Sequence, residues 1–391
     1  MNKAEDVAVA NLSKILAASL FPVLLLSCFA FSQSTLPNEL QVNLNAYLDN
    51  ANVQVVFPSI ALKRKITSST TLSGKYDVDI ITAASMRSHF DIDGVSSATP
   101  ANHGGRDNTP DDLRHDFSFG AAQELFGATA DVNGIYSRER DYSSKTLTGG
   151  LSVPLAKKNT TPRLGIVKRW DKLFPQTREG TEDIDVLTID AGITQLISKS
   201  ALIEFNLSWS RYEGYLSNPY EVITLIENNT FRYAEPAHPG ERNKLAIGSR
   251  TRFMITERTA IQAGYRFYQD DWDINSHTLR LLFNLYNGKK SILYTFKTRH
   301  YLQSKAEFFK EEYSGTEDYM AVDNKLNASF SNEFQFETRI IGSRLKRKIF
   351  GNADVYFGCT LYQRRLASRD WHSRSKNLIA LMLNSGYRLN F

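Results

Sequence analysis

Asn377-Leu-Ile-Ala-Leu-Met-Leu-Asn-Ser-Gly-Tyr-Arg-Leu-Asn-Phe391 closes the chain, and its reading decides the fold. Counted back from the end, Phe391, Leu389, Tyr387, Ser385, Leu383, Leu381 and Ile379 share one parity, and Asn390, Arg388, Gly386 and Asn384 share the other. A strand points alternate side chains to opposite faces, so the segment has one apolar and one mostly polar face. It stops on an aromatic residue at the carboxyl terminus. A soluble sheet has no reason to end there. The closing strand of a bacterial outer-membrane barrel does, and Tyr387, Leu389 and Phe391 at two-residue steps fit the assembly signal read by the barrel-insertion machinery.

Working outward, the same device recurs. Ala201, Ile203, Phe205, Leu207 and Trp209 alternate with Leu202, Glu204, Asn206, Ser208 and Ser210. Ile261, Ala263, Tyr265 and Phe267 alternate with Gln262, Gly264 and Arg266; Leu279, Leu281, Phe283 and Leu285 alternate with Arg280, Leu282 and Asn284. Further repeats start at Ile292, Phe334 and Val355. Segments of this length with period two are the signature of membrane-crossing strands, whereas strands of soluble sheets run to about five or six residues. A soluble all-β protein is the alternative these lengths disfavour. Tight turns near 198–200, 256–258, 287–290 and 346–351 alternate with long connections near 84–113, 172–182, 216–241, 304–332 and 367–373. In bacterial barrels short turns are periplasmic and long loops extracellular. Stepping back from Phe391 on that rule predicts an all-β antiparallel transmembrane barrel of about sixteen strands, both chain ends in the periplasm. Fourteen is the count if the two strands near 41–49 and 52–64 fail. Residues 304–332 are read as room for a hairpin outside the membrane.

The other end supplies an address. Lys14 precedes an apolar run from Ile15 to Phe31, the size of a secretory h-region and short for a membrane span. Ala30-Phe31-Ser32 places small residues at −3 and −1, so residues 1–32 are expected to be a signal peptide and 33–391 the barrel, exported to the outer membrane. Leu25-Leu26-Ser27-Cys28 offers a rival, lipidation at Cys28. The chain has two cysteines; if Cys28 leaves with the signal, Cys359 has no intramolecular partner. Mean hydropathy of −0.35 suits a barrel, half of whose strand residues face water. Aromatic residues reach 12% of the chain, enough to girdle both interfaces. The net charge of +5 does not call for nucleic acid.

Three stretches carry a resemblance: Tyr76-Asp-Val-Asp-Ile-Ile-Thr-Ala-Ala-Ser85 with Val95-Ser-Ser-Ala-Thr-Pro100, then Tyr212-Glu-Gly-Tyr-Leu-Ser-Asn-Pro-Tyr220, and most specifically Tyr265-Arg-Phe-Tyr-Gln-Asp-Asp-Trp-Asp-Ile-Asn-Ser-His-Thr278. Together they resemble a bacterial outer-membrane family known as a domain of unknown function (three-five-seven-zero). The resemblance spans nearly all of the chain after residue 32. It departs from the family's pattern at Thr82-Ala-Ala-Ser-Met86, where a glycine and a proline are missing. It implies a barrel in the outer membrane and brings no substrate, cofactor or catalytic residue.

Charges on the polar parity segregate along the chain. Asp77, Asp79, Glu124, Asp131, Asp190 and Glu204 come first; Arg250, Arg252, Arg266, Arg280, Lys297, Arg299 and Arg339 follow. In a closed barrel the two groups form an acidic and a basic wall, and the field between them would tune passage of charged solutes. Lys75, Asp270, Glu337 and Asp354 interrupt the pattern. Two readings of the lumen stand side by side: an open pore for small polar or charged solutes, or a salt-bridged interior in a barrel serving as scaffold or export port. For the second, the 84–113 loop and the 33–50 segment are the candidates to fill it. A third reading makes Asp91, Asp93, Asp271 and Asp273, with His277 nearby, a hydrolytic or cation-holding cluster at the outer mouth. Against it, the three aspartates around Trp272 read as a solvated turn with the indole at the lipid interface, and His277 as outward-pointing. No phosphate loop, paired-cysteine metal motif or serine elbow is present, so no cofactor or metal is expected. Outer-membrane lipid, the insertion machinery and small solutes are the expected partners; the oligomeric state is open.

Overall fold

The computed structural model describes residues 38–51, 53–83, 112–175, 179–227, 230–344, 352–368 and 376–391. The strands are β1 (Glu39–Asp49), β2 (Val53–Lys65), β3 (Thr70–Ala83), β4 (Asp112–Leu125), β5 (Ala128–Arg138), β6 (Tyr142–Ser152), β7 (Thr160–Leu173), β8 (Glu182–Ser198) and β9 (Ala201–Gly214). They continue as β10 (Ile223–Glu227), β11 (Thr230–Ala234), β12 (Glu241–Thr256), β13 (Thr259–Asp270), β14 (Asn275–Tyr286), β15 (Ile292–Gln303), β16 (Ser329–Ile341), β17 (Ala353–Leu366) and β18 (Asn377–Asn390). All but β10 and β11 pair in chain order, β9 bonding directly to β12, and β18 closes on β1. The result is a closed antiparallel barrel of sixteen strands. The first two strands exist, so the fourteen-strand count falls away.

Closure rests on the C-terminal segment. Leu40 stands opposite Leu389, Val42 opposite Tyr387 and Asn43 opposite Gly386. The backbone seals the seam further where Asn38 and Phe391 exchange N–H···O bonds of 3.1 Å in both directions. A closed barrel leaves no unpaired edge, which a strand in lipid requires.

Register fixes the two faces. Phe117 and Phe119 of β4, Phe205 and Leu207 of β9, Phe334 of β16, Phe357 of β17 and Leu381 of β18 are large, apolar and exposed. In water such a surface would drive association; in lipid it is the solvated face. Phe296 and Phe336 meet across strands at 4.9 Å between ring centres on this side. The opposite parity carries a polar ladder: Asn43 Nδ2 donates to Ser59 Oγ at 2.9 Å, Thr188 and Ser210 hydroxyls meet at 2.8 Å, and Thr295 Oγ1 donates to Asn284 at 2.8 Å. These bonds satisfy inward groups between neighbouring strands, while Tyr47, Val53, Val55, Tyr362 and Ala380 pack as an apolar cluster on the same inward parity at the loop end.

One end of the barrel has tight turns. Phe126 and Gly127 link β4 to β5 with φ of 51° and 84°, the two positive values a type I′ hairpin needs, and glycine accepts the second without strain. The other end carries the long connections. There the hairpin expected within 304–332 is instead β10–β11, inside the 215–240 connection. The 304–328 segment has only short 3₁₀ and bridge pairings, and it bonds to that hairpin and to the residues that follow it: Leu225 of β10 bridges to Tyr313, and Ala237, beyond β11, to Met320. The two connections share apolar cores. Ile223, Leu225, Tyr313 and Met320 form one; Trp272, Ile274, Ala306, Phe309, Ala321 and Leu326 form the other.

Candidate functional site: the loop-end vestibule of the lumen

The second of these cores roofs part of the lumen, and its geometry starts at the β13–β14 turn. Asp270 Oδ1 accepts the N–H groups of Trp272 and Ile274, both at 3.0 Å, and Asp273 takes a left-handed φ of 64°. That conformation turns the Trp272 ring inward. The indole is buried at 4% exposure rather than resting at the lipid interface as expected. Its Nε1–H donates to Glu241 O at 3.0 Å, and the Arg242 guanidinium covers its face at 4.1 Å from the ring centre. The correction has a physical cause. A tryptophan in a four-residue turn gains more by capping an apolar loop core, with its N–H satisfied, than by standing alone at a boundary.

Around this anchor lies a cavity of about 420 Å³. Its wall is the inward parity of β12 to β17: Arg242, Lys244, Arg266, Tyr268, Ser276, Arg299, Tyr301, Gln303, Ser329, Ser331, Tyr362 and Arg364. Its roof is Leu216, His238, Asp323, Lys325 and Leu326 from the two long connections, with Trp272 and Ile274. A neighbouring cavity of about 350 Å³ continues toward Tyr142, Arg169, Asp171 and Tyr212, sharing Leu216, Arg242, Lys244, Trp272, Asp323 and Lys325. The roof therefore stands between two parts of the same vestibule. Tyr220 reaches the far side, where its hydroxyl bonds to Asp141 at the β5–β6 turn.

His238 holds the roof. Its Nδ1 lies 2.9 Å from Leu216 O, its backbone N–H donates to Ser217 Oγ at 2.9 Å, and its ring meets Trp272 edge-on at 5.4 Å. Burial pushes its pKa below the usual imidazole range, so the ring is neutral near pH 7 and Nδ1–H is the donor to Leu216. Burial likewise raises Asp141, against the lowering effect of the Tyr220 hydroxyl.

The charges expected from the sequence lie as follows. Cross-strand partners put Asp77 and Asp79 (β3), Glu124 (β4), Asp131 (β5), Asp190 (β8) and Glu204 (β9) on the parity opposite the exposed apolar side chains. Arg250 and Arg252 (β12), Arg266 (β13), Arg280 (β14), Lys297 and Arg299 (β15) and Arg339 (β16) share that parity. The two arcs meet where β9 bonds to β12, and there Arg250 Nε donates to Glu204 at 2.7 Å. Within the arcs, Asp77 pairs with Lys75 at 2.8 Å, Arg339 with Glu337 at 3.1 Å and Arg299 with Glu333 at 4.0 Å. Arg252 bonds to Gln262 at 3.0 Å. Asp131 folds over Gly150, where a Cβ would come within 2.6 Å of its carboxylate; glycine makes that room.

The sequence reading missed the loop-end members of the basic arc. Arg242 and Lys244 share the parity of Arg250, and Arg364 shares that of Tyr356, so alternation carried to the strand ends would have found them. Lys325 sits in a loop, where period two gives no signal. Asp91, Asp93 and the rest of the 84–111 segment lie outside the described residues, as do residues 1–37 with Cys28. Asp271 is engaged locally, accepting the Asn243 backbone N–H at 2.8 Å. His277 is on the outward side, its Nδ1 at 2.7 Å from the Tyr265 hydroxyl. Among the described residues no group of histidine, cysteine and carboxylate side chains is disposed to hold a metal.

Comparison with known proteins follows the fold. A bacterial polysaccharide outer-membrane secretin superposes with a TM-score of 0.50 at 7% identity, covering 90% of this chain and 98% of that one. OpdK of Pseudomonas aeruginosa, solved with vanillate, gives a TM-score of 0.47 at 8% identity, covering 91% of this chain and 99% of that one. OccK3 (OpdO) of the same organism gives 0.44 at 11% identity, with 91% and 96% covered. No curated protein matches the sequence. The described architecture is that of outer-membrane β-barrels. The family model "Protein of unknown function (DUF3570)" matches residues 30–180 and 167–378, and the chain belongs to that family.

Proposed function

We propose that this protein is a passive outer-membrane channel for small polar or charged solutes, exported by a signal peptide over residues 1–32, with its loop end outside the cell. The observation that carries the reading is a closed barrel of sixteen strands whose inward parity is largely polar and charged, interrupted at the loop end by one apolar cluster of Tyr47, Val53, Val55, Tyr362 and Ala380. A barrel of this size encloses more space than side chains fill, and its interior is aqueous unless plugged. The acidic residues Asp77, Asp79, Glu124, Asp131, Asp190 and Glu204 and the basic residues Arg250, Arg252, Arg266, Arg280, Lys297, Arg299 and Arg339 act as the pore lining. Low-dielectric walls focus the field between them and sort solutes by charge. Local pairs such as Glu204–Arg250 weaken that field without abolishing it, because they remain partly exposed.

A second reading is favoured by the loop-end roof. Its two apolar cores and the Tyr220–Asp141 tie make an ordered partial cover, which suits a non-conducting scaffold or a gated port. Planar-bilayer recording separates the two. Discrete conductance steps from purified, folded protein support the channel; a folded barrel silent at every voltage supports the scaffold.

A further inference from the structure

The cavity beneath the roof is unevenly charged. Arg242, Lys244, Arg266, Arg299, Lys325 and Arg364 line it. Carboxylates also stand in or beside it, and Asp49 lies beyond Tyr47, which feels both it and Arg364. Asp323 is in the lining, and accepts the Lys325 backbone N–H at 2.9 Å. Asp270 is taken by Arg242 at 3.0 Å, with the Tyr268 hydroxyl also donating to it. Glu333 lies 4.0 Å from Arg299. Cations exceed carboxylates in a space partly shut off from bulk water, where excess charge of one sign attracts its opposite.

A second observation points inward. Nε of Arg299, Nε of Arg364 and Nε2 of His238 are buried and lack a hydrogen-bond partner among the described residues, and all three side chains line this cavity. Buried polar atoms in native proteins are almost always satisfied by protein, water or ligand. Two guanidinium groups in one cavity offer the forked donors that match the oxygens of a carboxylate or phosphate. Beside them stand Tyr301, its ring under the Arg299 guanidinium and its hydroxyl bonded to Gln303, and Tyr362, and the volume of about 420 Å³ lies in the range that receives a small organic ligand.

We propose that this vestibule is a binding site for a small organic anion, held through its carboxylate or phosphate by Arg299 and Arg364 with Lys325 closing from the roof. Its use as a filter on a permeation path rests on the channel reading above; its occupancy does not. A site of this kind would concentrate anions at the loop end before they meet the mixed lining below.

The test is calorimetric titration of the folded, detergent-solubilised barrel with benzoate and, separately, with inorganic phosphate; benzamide serves as the uncharged control. Saturable binding of either anion, absent for benzamide, is expected. An Arg299→Gln/Arg364→Gln double variant should lose at least tenfold in affinity, while Arg258→Gln in a distant turn keeps it. Folding of each variant is checked by its heat-modifiable gel mobility. Lys325→Gln, on a loop outside the wall, gives a second reading if the double variant misfolds. Failure of the folded wild type to bind either anion overturns the proposal, as does unchanged affinity in the double variant or in Lys325→Gln. Binding without bilayer conductance would leave the site standing and remove the channel; conductance without binding would do the reverse.

Discussion

Placing one arginine on either face of β9 tests which side of the wall meets lipid. Leu207 lies near the middle of the strand and is 46% exposed on the apolar parity, while its neighbour Ser208 faces inward opposite Asp190. Leu207→Arg puts a guanidinium into hydrocarbon near the bilayer midplane, a change that costs roughly 2–4 kcal/mol in barrels of this kind. The folding equilibrium should fall by about 30- to 700-fold, since each 1.4 kcal/mol is a factor of ten. Ser208→Arg adds the same charge one residue away, in a polar interior beside a carboxylate that has no ion pair among the described residues. Its cost should stay within about 1 kcal/mol. The assay is reversible denaturant unfolding in phospholipid vesicles, comparing midpoints at equal slope. Equal costs, or a larger cost at Ser208, would refute the assignment of faces on which the account of the lumen depends.

Other consequences follow from particular contacts. Trp272→Ala removes the indole that joins the β13–β14 turn to the 304–328 segment; a loss of roughly 3–5 kcal/mol should be confined to the roof, seen as faster hydrogen exchange over 216–238 and 306–326 with barrel strands unchanged. His238 has its pKa lowered from 6.5 by burial, against Asp323 and with Arg242 nearby. The undocked loop thus takes up a proton first, so roof docking should be constant above about pH 7 and weaken as pH falls below about 6, read by the same exchange experiment across pH. Glu204→Gln leaves Arg250 without its carboxylate; stability should change by less than about 1 kcal/mol, while the reversal potential under a salt gradient moves toward anions. Gly386→Val drives a Cβ to 2.3 Å from the Tyr356 ring, and displacing that ring breaks its hydroxyl contact with Asn43; a loss of about 1–3 kcal/mol is expected in the vesicle assay.

What the sequence made legible was whatever repeats with period two. Alternation around Phe205, Phe334 and Leu383 marks the lipid face because a strand in a membrane must be apolar on every second residue. The same alternation gave the count of sixteen barrel strands, and the inward parity of Arg250 and Glu204 with them. The loop end was not legible. Trp272 was read by its local surroundings of three aspartates, yet its position is set by Ala306, Phe309 and Leu326, more than thirty residues along the chain. The β10–β11 hairpin is short and its Phe231 and Tyr233 are exposed, so it lacks the long half-apolar pattern that flags a barrel strand. Charge segregation along the chain also hid local neutralisation: Asp270 interrupts the basic arc in sequence but is bound to Arg242 across the β12–β13 pair.

The central claim is an aqueous lumen that passes small charged solutes. Its most direct test is single-channel recording of the purified barrel in a planar bilayer under a salt gradient, with folding verified in the same preparation. Stepwise ohmic conductance is expected, with a reversal potential that moves toward anion selectivity in Glu204→Gln. A folded, correctly inserted barrel with no conductance above the bare bilayer would contradict it.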